Sequence, residues 1–211
     1  MPEHTARTYA AAMRVCSPIV RRWGRLEVVG LESLPEDGPV LLTCNHDSYW
    51  DPVVVGVAAL GRRQIRALAK ASMWKIKGLD RLLDGMGQIP IERGRGDAGA
   101  LARAIEELRA GACIGIFPEG TRSLGRELRA RSGFVRLAEA VPEARIVCCA
   151  VVGSTDIPRF PRRPRVRAHF FTPSSERAAG ESPSDFAARL LAEIREEAPI
   201  SVAGRRAGRG A

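Results

Sequence analysis

Aromatic residues are scarce in this chain, at 5% of the total. That is too few for a strip of base-stacking rings, which disfavours a single-stranded nucleic-acid platform. Histidine is also rare: His4, His46 and His169 lie far apart, so no zinc-ligand spacing is present. The five cysteines are Cys16, Cys44, Cys113, Cys148 and Cys149. They form no C-x-x-C pair, and their odd number argues against a disulfide framework. All but Cys16 sit in apolar runs, where cysteine behaves as a small core hydrophobe, and a reducing compartment is the natural reading. No stretch approaches the roughly 20 apolar residues of a membrane span. The segment Tyr9–Val20 is interrupted by Arg14 and by Ser17-Pro18 and offers no clear cleavage site, so a signal peptide is not expected. The expectation is a protein that is soluble or lies on a membrane surface.

What is present is ordinary globular material. The 211 residues are 45% hydrophobic and 27% charged, which fits one large domain with a proper core. Lys+Arg outnumber Asp+Glu by 33 to 24, a net charge of +9. Such a balance points to an anionic partner: nucleic acid, a membrane surface or a phosphorylated substrate. No helix-turn-helix, zinc-finger or RNP pattern accompanies it, which sets nucleic acid behind the other two.

Along the chain, residues 5–23 read as a helix that Pro18 kinks or ends. Tyr9, Met13, Val15, Ile19, Val20 and Trp23 are apolar and Arg7, Arg14, Arg21, Arg22 and Arg25 basic, which suits either an interfacial helix or one packed on the domain. Strands are expected at Leu26–Val29, Val40–Cys44, Ile65–Ala69, Gly87–Ile91, Cys113–Phe117, Ile146–Val152 and Val166–Phe171. Helices are expected at Pro52–Leu60, Ala98–Ala110 and Ser132–Val141, and a last one opens at Ser182 with Pro183 first. This alternation predicts an α/β fold: a single domain with a mostly parallel central sheet flanked by helices, preceded by the N-terminal amphipathic helix. The natural divisions are 1–25, 26–200 and a basic tail, 201–211, expected to be disordered. In such folds function gathers beyond the carboxyl ends of the strands.

Three loops at strand ends carry the chemistry. In Asn45–Asp51, directly after Val40–Cys44, His46 and Asp51 are five apart across a turn into a helix. A carboxylate at that spacing can fix the imidazole tautomer and stabilise the imidazolium once the other nitrogen takes a proton. No nucleophilic serine is evident beside this pair, so the nucleophile can be a substrate hydroxyl. The alternative is that both residues satisfy loop polar groups or cap the helix. Phe117–Ser123 is a tight loop in which Arg122 offers a guanidinium fork suited to phosphate or carboxylate, or simply a solvated arginine on a polar turn. Gly87–Arg93 presents Arg93 at a strand end.

Taken together, N-H-x4-D at Asn45–Asp51, G-x-x-x-x-x-R at Gly87–Arg93 and F-P-E-G-T-R-S at Phe117–Ser123 resemble the 1-acylglycerol-3-phosphate acyltransferase family, the lysophospholipid acyltransferases of phospholipid synthesis. The third block matches at all seven positions. The resemblance runs from about Gly30 to about Gly153 and marks 26–200 as the acyltransferase domain. It implies transfer of a fatty acyl group from acyl-CoA or acyl carrier protein to the 2-hydroxyl of 1-acylglycerol-3-phosphate. His46 is implied to be the general base and Asp51 its orienter. Arg93 and Arg122 are implied to hold the acceptor phosphate, and Glu119 and Gly120 to complete the acceptor site. No metal, organic cofactor or acyl-enzyme is implied. Two departures from the family pattern stand out: Cys148 occupies the place of a fourth-block proline, and Arg131-Ser132-Gly133 the place of a lysine-glycine step.

The same chemistry on another lysolipid, an ornithine-type lipid or another hydroxylated acceptor is an alternative. The basic stretch Arg159, Arg162, Arg163, Arg165 and Arg167 suits an anionic membrane surface or a solvated loop. A peripheral place on the cytoplasmic face of the cell membrane is therefore expected. His169 reads as a structural histidine.

Overall fold

The strand Val40–Cys44 (β2) organises the molecule because every one of its five residues is buried. A strand covered on both faces needs a layer on each side and neighbours at both edges, the situation of a parallel α/β sheet. In the computed structural model, which describes residues 3–92, 97–131, 133–161 and 163–203, β2 pairs in parallel with β5 (Cys113–Ile116) and with β6 (Arg145–Val152). Further out, β3 (Ile65–Lys70) adds to β5 and β4 (Ile89–Ile91) to β3, again in parallel. On the other side β7 (Arg167–Phe171) runs antiparallel to β6, and β1 (Glu27–Val29) lies parallel to β7 at the edge. Among the described residues the sheet order is β1-β7-β6-β2-β5-β3-β4.

Alternating side chains go to opposite faces of this sheet. Val40, Leu42 and Cys44 meet Val54 and Val57 of α2 (Asp51–Ala58) and Tyr9 and Met13 of α1 (Glu3–Ser17). On the other face, Leu41 meets Ala104 and Leu108 of α4 (Ala98–Arg109) and Leu137 of α5 (Gly133–Ala140). Beside them, Cys148 and Ala150 pack on Phe134 of α5 and on Phe186, Leu190 and Ile194 of α6 (Pro183–Glu197). The helix starts follow their sequences. Asp97 caps α4 by accepting from the Ala100 N–H at 2.9 Å, and Ser182 caps α6 by accepting from the Asp185 N–H at 3.1 Å.

The observed fold is the expected one, with differences that have physical causes. The α-helix gives way at Pro18, as read from the sequence, but the chain goes on winding as a π-helical turn, Pro18–Trp23. The apolar residues of this segment divide: Tyr9, Met13 and Val20 enter the core, whereas Val15 is 77% and Ile19 42% exposed. One face is thus packed on the domain and another is left outside. A short helix, α3 (Leu79–Gly85), stands where the sequence reading has no element. Residues 204–211 of the tail lie outside the described residues. No helix among the described residues is long and apolar enough to cross a membrane.

Candidate active site

Where β2 ends, the chain must leave the sheet without orphaning its backbone. Asn45 makes the transition. Its side chain donates to the Val151 carbonyl at 2.9 Å and accepts from the Val151 N–H at 2.7 Å. It thereby copies a strand pairing to β6 with an amide side chain, and fixes the start of the loop that bears His46.

The loop then folds around Asp51, which is fully buried at the first turn of α2, a favourable place for negative charge. Oδ2 of Asp51 accepts from the N–H groups of Asp47 and Ser48, each at 2.7 Å, and lies 3.0 Å from His46 Nδ1. Oδ1 accepts from the Ser154 hydroxyl. A carboxylate only accepts, so Nδ1 carries the hydrogen and Nε2 is left with its lone pair. The imidazole is also stacked on Phe117, with ring centroids 4.3 Å apart and planes 28° from parallel. His46 and Asp51, paired on spacing alone in the sequence, are therefore in contact, and the ring is held on an edge and on a face.

The third loop rests on the first at several points. The Ser123 N–H donates to the His46 carbonyl at 2.7 Å, and the Ser123 hydroxyl donates to Asp47. The His46 N–H donates to Glu119 Oε2 at 2.6 Å, while the other Glu119 oxygen accepts from Arg195. Burial raises the Glu119 pKa, and Arg195 and the His46 N–H work against that rise. Both oxygens of Glu119 are thus taken up inside the protein. This carboxylate braces two loops from inside the protein. Gly120 is favoured by its backbone, whose φ of +69° lies in the left-handed region where a side chain is strained. Arg122 lies over the Tyr49 ring, 3.5 Å from the centroid, and donates to the Tyr49 hydroxyl at 2.7 Å. Its partner Tyr49 is 74% exposed, which places this guanidinium at the surface of the site. Arg93 and Ser132 lie outside the described residues.

Three residues of this arrangement escaped the sequence reading. Ser154 follows Gly153, which has a φ of +80° and whose added Cβ would come 2.1 Å from the Arg165 carbonyl oxygen, so only glycine makes this turn. Asp47 lies inside the first block but carried no assigned role. Arg195, on α6, is 148 residues away from the Asp47 it binds.

The cysteines and His169 lie apart from this chemistry. Cys44, Cys113, Cys148 and Cys149 are buried in β-strands. Burial pushes the Cys113 thiol up to about 12 and raises Cys44 and Cys148 as well, the opposite of a reactive cysteine. His169 Nδ1 lies 3.1 Å from Glu197, a structural pairing as expected. Among the described residues no cluster of His, Cys, Asp and Glu could hold a metal ion.

Comparison with known proteins gives this geometry its relatives. The chain is 33% identical over 131 residues to a 1-acyl-sn-glycerol-3-phosphate acyltransferase of Borreliella burgdorferi, a match covering 60% of this chain and 52% of that one. It is 28% identical over 116 residues to the 1-acyl-sn-glycerol-3-phosphate acyltransferase of Bacillus subtilis, covering 55% and 57%. It therefore spans about half the length of the curated relatives it matches. The crystal structure of the 1-acyl-sn-glycerophosphate acyltransferase PlsC from Thermotoga maritima superposes with a TM-score of 0.67 at 19% identity, over 89% of this chain and 78% of that one, which shows a common fold. A family model described as Acyltransferase matches residues 25–158, a span that holds His46, Asp51 and the whole Phe117–Ser123 loop. The chain belongs to the acyltransferase family.

Proposed function

We propose that this protein transfers a fatty acyl group from a thioester, acyl-CoA or acyl carrier protein, to the 2-hydroxyl of 1-acylglycerol-3-phosphate, giving phosphatidic acid. The observation that carries the reading is the His46–Asp51 pair, with Nδ1 bound to a buried carboxylate and Nε2 left to take a proton. In this mechanism Nε2 removes the proton of the acceptor hydroxyl as its oxygen attacks the thioester carbonyl. The tetrahedral intermediate collapses, the C–S bond breaks, and the imidazolium returns the proton to the departing thiolate. Asp51 stabilises the imidazolium between these events. The hydroxyls nearest the pair support direct transfer over an acyl-enzyme. Ser123 donates to Asp47, Ser154 to Asp51 and Ser48 to the Ser154 carbonyl, so these three hydroxyls are directed to partners other than the imidazole.

The walls fit the proposed substrates. Phe117, which stacks on His46, also lines a cleft with Leu68, Ile116, Phe134 and Leu137, an apolar surface for a fatty chain, with Arg131 and Arg136 among its lining residues. In this reading Arg122 binds the acceptor phosphate, with Arg93 as its companion. A hydrogen bond to a charged group contributes about 1.5–3 kcal/mol, less where water screens it, so Arg122→Ala should raise the acceptor KM roughly 5–30-fold. The acyl-donor KM should change much less, and Arg122→Lys should restore only part of the loss because lysine lacks the fork. Steady-state kinetics with acceptor and donor varied separately test this. An unchanged acceptor KM would remove the phosphate site and favour a neutral hydroxylated acceptor.

We also propose an anionic membrane surface as partner, at the cytoplasmic face. The two basic segments read separately in the sequence are joined in the fold. Arg163 donates to the Arg22 carbonyl at 2.7 Å, Arg25 donates to the Arg163 carbonyl at 2.9 Å, and Trp23 stacks on Phe160 with centroids 5.5 Å apart. Phe160 is 83% exposed. This aromatic pair among arginines sits where β6 gives way to the Ser154 turn, on the rim that carries the catalytic loop. Basic residues near an anionic surface contribute about 1 kcal/mol each. The protein should therefore sediment with phosphatidylglycerol vesicles, release in high salt, and bind less well as Phe160→Ser. Absence of sedimentation at low salt would refute the surface.

A further inference from the structure

The guanidinium of Arg195 lies between two buried carboxylates of the site, and this residue is outside the stretch that the family model matches. It forks onto Asp47, with Nη1 donating to Oδ2 at 2.9 Å and Nη2 to Oδ1 at 3.0 Å, and Nη2 also donates to Glu119. Its remaining bond, from Nη1 to the Ala198 carbonyl at 3.2 Å, ties the fork to the end of α6. The side chains of Asp47 and Glu119 are 2% and 1% exposed, so the guanidinium and not bulk water faces their charges.

The consequence reaches His46 by two short paths. Glu119 holds the His46 N–H, and Asp47 is the next residue in the chain and receives the Ser123 hydroxyl. Remove the guanidinium and two buried carboxylates face each other without a counter-ion, each anchored to the backbone that sets the imidazole. Burial alone would pull the Arg195 pKa down, but its bonds to Asp47 and Glu119 outweigh that and keep it a cation.

We propose that Arg195 is a positioning residue for acyl transfer: acting through Glu119 and Asp47, it fixes the backbone of His46 so that Nε2 meets the acceptor hydroxyl. The proposal rests on the reading of His46 as the base. It separates the role of α6 into two parts, since its apolar face builds the core while one residue of its charged face completes the site.

The test uses the purified full-length protein and compares Arg195→Met, Arg195→Lys, Glu119→Gln and the double variant Glu119→Gln/Arg195→Met with His46→Ala. Arg189→Met is the control. Arg189 lies on the same helix and pairs with Glu181 at 3.0 Å and Glu193 at 3.2 Å, with no contact to the site. A displacement of the base of about 1 Å is worth roughly 10² in rate, so Arg195→Met should lower kcat about 100-fold while both KM values stay within about threefold. Arg195→Lys keeps the charge but loses the fork, and should lose about tenfold. The double variant should be no worse than Arg195→Met, because Glu119 acts through the same contact. Arg189→Met should lower Tm and leave kcat unchanged. If Arg195→Met does not fold, Arg195→Lys decides. A folded Arg195 variant with parental kcat beside an inactive His46→Ala overturns this inference alone. So does a kcat loss in Arg189→Met equal to that of Arg195→Met. Full activity in His46→Ala overturns the base and this inference together.

Discussion

His46→Ala is expected to lower kcat by roughly 10²–10⁴, the share that a positioned general base contributes. The substitution removes Nε2, the group we assign to the acceptor proton, and leaves the acceptor and donor surfaces in place, so the loss should appear in kcat and much less in either KM. It should also cost some stability, because the loop is not exposed: His46 is 7% accessible, stacked on Phe117 and bonded to Asp51. Asp51 keeps two backbone donors on the same oxygen when the imidazole is gone, which limits that cost to about 1–2 kcal/mol, or a few degrees in Tm. Thermal unfolding measured beside the kinetics separates the two effects. A variant that is folded at the assay temperature and turns over at the parental rate would end the general-base mechanism.

Asp51→Asn should be the second large effect, and the geometry fixes its cause. One oxygen of Asp51 accepts from two backbone N–H groups and the imidazole, while the other accepts from the Ser154 hydroxyl. An asparagine must place its carbonyl oxygen toward the three N–H donors and its amide toward Ser154, whose hydroxyl can turn to accept. The imidazole tautomer is then preserved. What disappears is the negative charge that stabilises the imidazolium. The expected loss is on the order of 10² in kcat, short of the roughly 10⁴ that follows when an equivalent change also inverts the tautomer. Asp51→Ala would instead strand all of these donors in a buried loop and should fail first in stability. Kinetics of the asparagine variant beside its Tm distinguish the cases, and parental kcat would show that the carboxylate charge is not used.

Much of this arrangement is legible in the residues, and what is not has a common cause. Val40–Cys44 announces itself as a doubly covered strand because it is short, wholly apolar but for Thr43, and bounded by Pro39 and Asn45. His46 and Asp51 are legible because both lie in one loop, within reach of each other along the chain. The helix α3 is not, because Leu79–Gly85 is short and ends on the glycine of a polar turn, so its apolar spacing is too brief to show a period. Arg195 is hidden for another reason. The period of α6 reveals the face of Phe186, Leu190 and Ile194, but the partners of a residue on its charged side lie in loops more than 70 residues away. Nothing in a single sequence tells one arginine of that face from another: Arg189 meets surface carboxylates, and Arg195 meets the site. The division of the first helix has a similar origin, since Val15 and Val20 are alike in hydropathy and only the docking on α2 decides which one is buried.

The edge of the sheet has a consequence for how the molecule is made. Glu27 to Val29 find their strand partners only at Arg167 to His169, and the Trp23 indole bonds to the Ile157 carbonyl. Contacts of such separation cannot form until most of the chain has left the ribosome, and folds rich in them form slowly. Until then the unpaired edge of β1 stands open, the kind of surface on which aggregation and chaperone capture act. The loop around His46 draws on Asn45, Glu119, Val151, Ser154 and Arg195. It closes only when the last helix has docked, so the appearance of enzymatic turnover during refolding reports completion of the whole domain and not of any part of it.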